Sequence, residues 1–195
     1  NPAVSQLLLG VERTVELAIS RRNAAWALER GGVELGQGHF RLMTLLHSLF
    51  FVAIAAEVLL LPRPFSWSLA LPFFALAAAA QGLRYWAIAS LGRHWNVRVI
   101  VVPGAPAVRR GPFRYLRHPN YLAVIIEGFA VPLMHGAFLT ALGFSLANAL
   151  LLVVRIRCEE RALETHCGYA AAFGQRRRFW PGSSPSPPTA SSEQP

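Results

Sequence analysis

Long apolar runs separated by arginine-rich connectors constrain the fold of this chain more than any other feature of its sequence. Residues 42–61 and 67–90 each provide twenty or more residues with few charges, and residues 122–154 form a third run of 33 residues. A helix crosses a hydrocarbon core of about 30 Å with about 20 such residues, because each residue rises about 1.5 Å. Each run is therefore predicted to cross a lipid bilayer.

The third run is too long for one span and is predicted to form a helical hairpin. It contains Pro132 and Gly136, residue types that end helices and favour turns. We place the two arms at about residues 122–133 and 137–157. Residues 158–174 are then predicted to continue the second helix beyond the membrane.

The N-terminal segment has two interpretations. Residues 3–19 are mostly apolar at helical spacing but include Arg13 and Glu16. The segment is either an amphipathic helix on the membrane surface or a first span whose polar face looks into a bundle. The second interpretation is favoured because Arg21 and Arg22 follow directly. The expected fold is an all-α integral membrane protein, a bundle of about five transmembrane helices, or four if this helix lies on the surface.

The composition agrees with a membrane protein. Apolar residues make up 53% of the chain and charged residues only 15%, whereas charged residues make up about a quarter of a typical soluble domain. All basic residues are arginine, and the net charge is +9. Anionic membrane lipid is the expected partner of this charge. Nucleic acid is not expected, because no nucleic-acid-binding motif is present.

The distribution of arginines predicts the orientation. The connectors expected on one side of the bilayer carry four, six and six arginines, whereas the short turns on the other side carry Arg63 alone. The positive-inside rule places the arginine-rich side in the cytoplasm. We expect the inner (plasma) membrane of a bacterium, with the functional site facing the cytoplasm.

A polar segment, residues 111–121, stands directly before the third apolar run. Pro119 suits the first turn of a helix, so His118 would stand just before that helix, near backbone N–H groups that can bind an anion. Tyr115 and Tyr121 offer flat faces for a purine. The alternative is a basic membrane boundary anchored by aromatic side chains.

A second polar segment closes the same run with the adjacent acids Glu159 and Glu160. Neighbouring side chains on a helix point about 100° apart, so one carboxylate can face the bundle while the other faces solvent. The alternative is a solvated helix end that pairs with Arg155, Arg157 and Arg161. We predict that the helical hairpin brings the two polar segments together.

Glu127 is a third candidate, because it lies inside an apolar helix arm nearly two turns beyond Tyr121. Ionisable groups at such positions usually face the bundle or a cavity. Two interpretations remain open: an ion pair with an arginine such as Arg84 or Arg155, and a functional carboxylate.

Several kinds of chemistry are not indicated. No glycine-rich loop follows a strand, and no GxSxG or HExxH motif occurs. The absence of lysine removes Schiff-base catalysis. Cys158 and Cys167 lack the spacing of a zinc site, so no metal is predicted.

The two polar segments together resemble a known family. The segment Gly111-Pro-Phe-Arg-Tyr-Leu-Arg-His-Pro-Asn-Tyr121 resembles the RHPxY motif, with its GPYR-type lead-in, of the isoprenylcysteine carboxyl methyltransferase and phospholipid methyltransferase superfamily. The segment Glu159-Glu160-Arg-Ala-Leu163 is similar to that family's EExxL. The chain departs from the pattern further on, where a second tyrosine is expected after Tyr169 but Ala172 and Phe173 stand instead.

The resemblance implies S-adenosylmethionine as methyl donor and a cofactor pocket at the cytoplasmic face. The residues it implies for that pocket are Arg117, His118, Pro119, Asn120, Tyr121, Glu159 and Glu160. The candidate catalytic residues are His118, Glu127 and Arg157. The acceptor implied is the oxygen of a lipidic small molecule, either a carboxylate or a phenol or enol of the alkylresorcinol or alkylpyrone type. A phenol or enol needs a base, for which His118, Glu127 and Glu57 are candidates.

We expect one methyltransferase domain over residues 1–181, with the motifs in residues 91–181. A Pro/Ser-rich tail, residues 182–195, is expected to be disordered. The sequence leaves two alternative functions open: an NADPH-dependent lipid reductase, and a non-catalytic lipid-binding membrane protein.

Overall fold

Five α-helices and a two-stranded ribbon form the fold in this computed structural model, which describes residues 2–168 and 178–179. The helices are α1 (Pro2–Leu28), α2 (Gln37–Leu60), α3 (Trp67–Leu91), α4 (Pro119–Met134) and α5 (Phe138–Cys167). The strands are β1 (Val33–Leu35) and β2 (Val99–Val101). The predicted tail at 182–195 and the departure at Tyr169 lie outside the described residues.

The all-helical prediction is confirmed, but the number of clear membrane spans is smaller than expected. Within the described residues, α2 and α5 are long and apolar enough to cross a membrane. Helix α4 has 16 residues, about 24 Å of rise, which is short of a 30 Å core. Helix α1 is longer but carries several charged residues, and α3 is longer but has Gln81 and Arg84 in its C-terminal half. Length and composition thus support two spans where about five were predicted.

Helix α1 turns its polar side towards the rest of the protein. Glu16, Ser20 and Asn23 are buried, although the helix leaves many apolar side chains exposed. Ser20 Oγ donates to Asn96 Oδ1 at 2.7 Å, and Asn23 Nδ2 donates to the carbonyl of Trp95 at 2.8 Å. A polar face that looks into the bundle is the interpretation favoured from the sequence.

The hairpin between α4 and α5 turns where the sequence indicates. Helix α4 ends at Met134 and α5 begins at Phe138. Gly136, at the turn, has φ of +72°, a conformation that side chains with Cβ rarely adopt. Pro132 lies inside the last turn of α4 rather than beyond its end. At the other end, α5 stops at Cys167, earlier than the predicted Gly174, because Gly168 adopts a left-handed C-cap.

Glu57 stabilises the N-terminus of α5. Its carboxylate accepts from the backbone N–H groups of Leu139 and Thr140 at 3.1 and 2.7 Å, and from Arg63 Nη1 at 3.0 Å. Unpaired N–H groups at a helix start favour a negative partner. The prediction that Glu57 serves as a base at the functional site is therefore wrong, because this carboxylate lies at the opposite end of α5 from Glu159.

The two short strands pack at the end of the bundle that carries the motifs. They pair antiparallel, with Val33 opposite Val101. Val99 and Val101 are buried against Ala162 of α5. Residues 96–102 (NVRVIVV) predict a short extended segment that contains β2. Strand β1 has only three residues, which stand between glycine-containing turns. The ribbon closes this end of the bundle over the C-terminal part of α5.

Candidate functional site

The start of α4 and the polar end of α5 meet in space. His118 Nε2 lies 3.0 Å from Glu160 Oε1, so the imidazole donates to that carboxylate. The hydroxyl of Tyr121 donates to Glu159. The two polar segments, separated by some forty residues of chain, are thus held together by two side-chain hydrogen bonds.

Arg155 ties this contact to the rest of the protein. Its Nε donates to the hydroxyl of Tyr121 at 2.8 Å, and its Nη2 donates to the carbonyl of Val97 just before β2. Its guanidinium carbon lies 5.6 Å from the centre of the Tyr121 ring. The ring of His118 stacks on the ring of Tyr121, and their centroids are 5.4 Å apart. A buried arginine, a tyrosine and a histidine therefore form one continuous unit.

Glu160 is surrounded by cationic and hydrogen-bonding groups. Arg178 Nε donates to its Oε1 at 3.0 Å and Arg178 Nη2 to its Oε2 at 2.5 Å, while Arg117 Nη1 lies 3.8 Å away. A span of about 20 residues from Phe138 leaves Glu160 beyond the hydrocarbon core. Burial acts to raise the pKa of Glu160, but the hydrogen bonds from His118 and Arg178 outweigh it and lower the pKa to about 2. The carboxylate is therefore ionised at neutral pH.

A cavity of about 450 Å³ begins at this polar unit and continues into the bundle. At its polar end it is lined by Asn96, His118, Tyr121 and Glu159, and at its other end by Phe50 and Phe144. From Glu159 to Phe144 along α5 is about 22 Å of helical rise. The volume lies within the usual range of small-molecule sites, about 300–1,000 Å³.

A cluster of four charged side chains lines the middle of this cavity. Arg84 Nε lies 3.3 Å from Glu16 Oε1, and Arg84 Nη2 lies 3.4 Å from Glu127 Oε2. Arg13 contacts the same two acids, at 2.6 Å to Glu16 and 3.1 Å to Glu127. Two acids and two arginines balance in charge. Of the two interpretations of Glu127, the ion pair with a bundle arginine is present in the structure, and the carboxylate also lines the cavity.

The predicted site residues differ in where they lie. The cavity is lined by Arg117, His118, Asn120, Tyr121, Glu127 and Glu159. Glu160 lies behind His118, and Pro119 is buried as the first residue of α4. The structure does not support the prediction for Arg157, whose side chain is exposed and does not line the cavity. We therefore withdraw Arg157 as a catalytic candidate.

Arg155, rather than the predicted Arg157, lines the cavity. Arg155 and Glu159 are four residues apart and share a helix face, whereas Arg157 points about 200° away from Arg155. This spacing was a usable signal in the sequence. Arg13, Glu16 and His47 were also missed as lining residues of the cavity, because their side chains reach it only through the packing of α1 and α2.

Comparisons with known proteins agree with this geometry. The sequence profile of the isoprenylcysteine carboxyl methyltransferase (ICMT) family matches residues 70–165, which include both polar segments. The uncharacterized protein YpbQ of Bacillus subtilis is 41% identical over 160 residues, which cover 82% of this chain and 94% of YpbQ. An uncharacterized protein of Haemophilus influenzae is 30% identical over 156 residues, which cover 77% of this chain and 88% of that protein.

A solved structure shares the fold. The eukaryotic intramembrane Ras methyltransferase ICMT superimposes with a TM-score of 0.58 and 19% sequence identity. The match covers 75% of this chain and 54% of the eukaryotic one, so this chain spans about half the length of that protein. The family is membrane-embedded, and its membership implies methyltransferase activity. The profile match and the similarity to these relatives show that the chain belongs to the isoprenylcysteine carboxyl methyltransferase family.

Proposed function

We propose that this protein is an S-adenosylmethionine-dependent methyltransferase that methylates an oxygen of a lipidic acceptor within the membrane. One observation carries the proposal: the contacts of His118 and Tyr121 with Glu160 and Glu159 stand at one end of a cavity that continues into an apolar bundle. A polar cofactor can enter at the polar end. A lipidic acceptor can approach from the bilayer.

The residues at the polar end fit the chemical groups of the cofactor. Asn120 Oδ1 and Arg155 Nη1 are buried and make no hydrogen bond within the part of the chain that the structure describes. Arg155 Nη1 would donate to a carboxylate, and Glu159 would balance a cationic group. The ring of Tyr121 offers a flat face. When bound, S-adenosylmethionine supplies an electrophilic methyl group on a sulfonium.

The chain needs no nucleophile of its own for this transfer. Transfer of a methyl group from a sulfonium to an oxygen would be a direct displacement, so the protein would have to hold the two reactants close and aligned. Such positioning can contribute about 7–11 kcal/mol to lowering the barrier.

The acceptor determines whether a base is required. A carboxylate acceptor, as in isoprenylcysteine, is ionised at neutral pH and needs none. A phenol or enol, as in alkylresorcinols and alkylpyrones, must lose a proton.

Because His118 donates through Nε2 to Glu160, only Nδ1 of the neutral ring can accept that proton. Glu127 is the other base candidate on the cavity wall. The proposal covers both acceptor classes, since each joins an oxygen-bearing head to a hydrocarbon tail.

The arginine distribution supports a cytoplasmic site in a bacterial inner membrane. The polar end of the cavity lies beside the arginine-rich connectors, whereas the opposite end carries the turn with Arg63. Under the positive-inside rule, the cofactor would reach the site from the cytoplasm.

Binding of S-adenosylhomocysteine tests the cofactor site. Purified protein in detergent should bind it saturably in isothermal titration calorimetry. Arg155→Gln should weaken the binding at least about tenfold, because a lost hydrogen bond to a charged group costs about 1.5–3 kcal/mol. Arg157→Gln removes the same charge from the exposed face of the same helix and should leave the affinity unchanged. Absence of binding at millimolar ligand, or equal effects of the two variants, would contradict the proposal.

A further inference from the structure

His47 is a histidine inside the apolar helix α2, and its side chain lines the main cavity. Met43, one helical turn earlier, packs against the cluster that contains Tyr121 and Leu152. Because each residue of a helix rises about 1.5 Å, His47 lies about 6 Å deeper in the bundle than this cluster. This is the depth at which the head of an acceptor would stand next to a cofactor bound at the polar end.

The hydrogen bonding of His47 fixes which ring nitrogen carries the proton. Nδ1 lies 2.8 Å from the carbonyl oxygen of Met43. A carbonyl oxygen can only accept, so Nδ1 carries the hydrogen and Nε2 of the neutral ring holds a lone pair. Within the described residues, Nε2 makes no hydrogen bond. The ring therefore offers a proton acceptor at its far edge from the backbone of α2.

Two contacts hold the imidazole in place. Its ring lies nearly perpendicular to the ring of Phe144, at 88°, with 5.2 Å between the centroids. Phe144 is itself packed against Gly128 of α4, where an added Cβ would lie 2.4 Å from Phe144 Cε1. With Nδ1 bonded to its own helix and the ring against Phe144, the imidazole has little freedom to turn. Nε2 is therefore kept in one position, as a base requires.

The other two base candidates on the cavity wall are already engaged. Glu127 Oε2 lies 3.1 Å from Arg13 Nη2 and 3.4 Å from Arg84 Nη2, so a proton would replace contacts with two cations. The side chain of His118 is 3% exposed, and its Nε2 donates to a carboxylate. His47 is half-buried and is bonded to a carbonyl alone within the part of the chain that the structure describes.

Charged side chains from four other helices share the cavity with His47. They are Arg13 and Glu16 of α1, Arg84 of α3, Glu127 of α4, and Arg155 and Glu159 of α5. Each of the three acids is held by an arginine or by the hydroxyl of Tyr121. Among the described residues, none forms an ion pair with the imidazole. This agrees with a ring that is neutral before it takes up a proton.

We propose that His47 Nε2 is the base that removes the proton of a phenol or enol acceptor. The O–H bond of the acceptor breaks, its electron pair stays on the oxygen, and the proton moves to Nε2. The resulting imidazolium passes the proton on to water. The oxygen, now an anion, is the nucleophile that methyl transfer needs. This inference rests on the proposed function for the methyl donor, and it adds the base together with the class of acceptor that requires one.

The first arm of the test compares two acceptors that differ in acidity. His47→Asn keeps an amide that can donate to the Met43 carbonyl but places no group at the position of Nε2. With pentadecylresorcinol it should lower kcat at least about a hundredfold, the usual contribution of a positioned base. With a nitrophenol of the same tail, which is ionised without a base in weakly alkaline buffer, the loss should be below about tenfold.

Two controls separate a base from a structural role. His135→Asn makes the same change in the turn after α4, outside the cavity, and should alter neither rate. S-adenosylhomocysteine should bind His47→Asn as tightly as the wild type, which shows that the variant is folded. Equal losses of kcat with the two acceptors would overturn the inference, because a structural defect affects both alike.

The second arm does not depend on methyl transfer. In full-length protein that contains ¹⁵N-labelled histidine, the Nε2 resonance of His47 is identified by its loss in His47→Asn. Pentadecylresorcinol should shift this resonance, because its hydroxyl donates to Nε2, whereas the dimethyl ether of the same compound should not. No shift, or equal shifts with the two compounds, would overturn the inference. If the resonance shifts but no acceptor is methylated, the proposed function fails and the hydroxyl site at His47 stands.

Discussion

Arg84 offers the sharpest test of how the bundle is held together. Its side chain is 5% exposed, and its partners Glu16 and Glu127 are 7% and 12% exposed. The substitution Arg84→Met keeps the aliphatic stem but removes the charge. The net charge of the cluster then falls from zero to −1, while Arg13 still contacts both carboxylates. Removal of one member of a buried ion pair costs about 3–5 kcal/mol, because a charge is left uncompensated in a low-dielectric interior.

A second substitution distinguishes charge imbalance from lost packing. Glu16→Gln restores neutrality in the Arg84→Met background, so the double variant should regain more than about 1 kcal/mol relative to Arg84→Met alone. Arg30→Met is the control, because Arg30 is about half exposed and its partner Glu29 is more exposed still. A surface pair of this kind contributes about 0–1 kcal/mol.

The assay is the free energy of unfolding from denaturant titration of the purified protein in mild detergent, followed by far-UV circular dichroism. Arg84→Met should be clearly less stable than both the wild type and Arg30→Met. A loss below about 1 kcal/mol for Arg84→Met would show that the cluster is solvated rather than buried. A double variant no more stable than the single one would refute the reasoning from charge balance.

Three further outcomes follow from the contacts of the site. Tyr121→Phe removes the acceptor of the Arg155 Nε hydrogen bond and should cost about 1–3 kcal/mol in denaturant titration; an unchanged midpoint would contradict this. Gly128→Ala should cost about 1–3 kcal/mol, because its Cβ would lie 2.4 Å from Phe144 Cε1; a more stable variant would show that the ring moves freely. The lowered pKa of Glu160 means that its contribution to stability is complete above the ordinary value of 4.5 and is lost as pH falls towards 2. Melting temperature should therefore fall with acid more steeply in the wild type than in Glu160→Gln, and parallel profiles would contradict the assignment.

Much of the arrangement along the chain follows from local rules. Hydropathy and proline and glycine placement predict the hairpin, because a 33-residue apolar run has to turn, and α4 and α5 meet between Met134 and Phe138. The contact between the two polar segments follows from the same turn. Antiparallel helices joined by a short loop return the C-terminal part of α5 to the level at which α4 begins.

The remaining features depend on packing that no short segment specifies. Which face of α5 meets α4 depends on packing; the sequence shows only that Arg155, and not Arg157, shares a helix face with Glu159. Glu57 looked like a functional carboxylate inside an apolar helix, yet its partners Leu139 and Thr140 lie more than eighty residues away along the chain. The β1 strand needs β2 for its hydrogen bonds, so its three residues carry little signal alone.

Transfer of labelled methyl groups to lipid tests the proposed function most directly. Purified protein would be incubated with methyl-labelled S-adenosylmethionine and, separately, with N-acetyl-S-farnesylcysteine, with pentadecylresorcinol or with extracted bacterial lipids. Label should move into the organic phase with at least one acceptor, and at subsaturating S-adenosylmethionine Arg155→Gln should lower this transfer at least about tenfold, while Arg157→Gln retains it. Alkali would release the label as methanol from a methyl ester but not from an aryl ether, which identifies the acceptor oxygen. Label that stays in the aqueous phase with every acceptor, from protein that still binds S-adenosylhomocysteine, would contradict methylation of a lipidic oxygen.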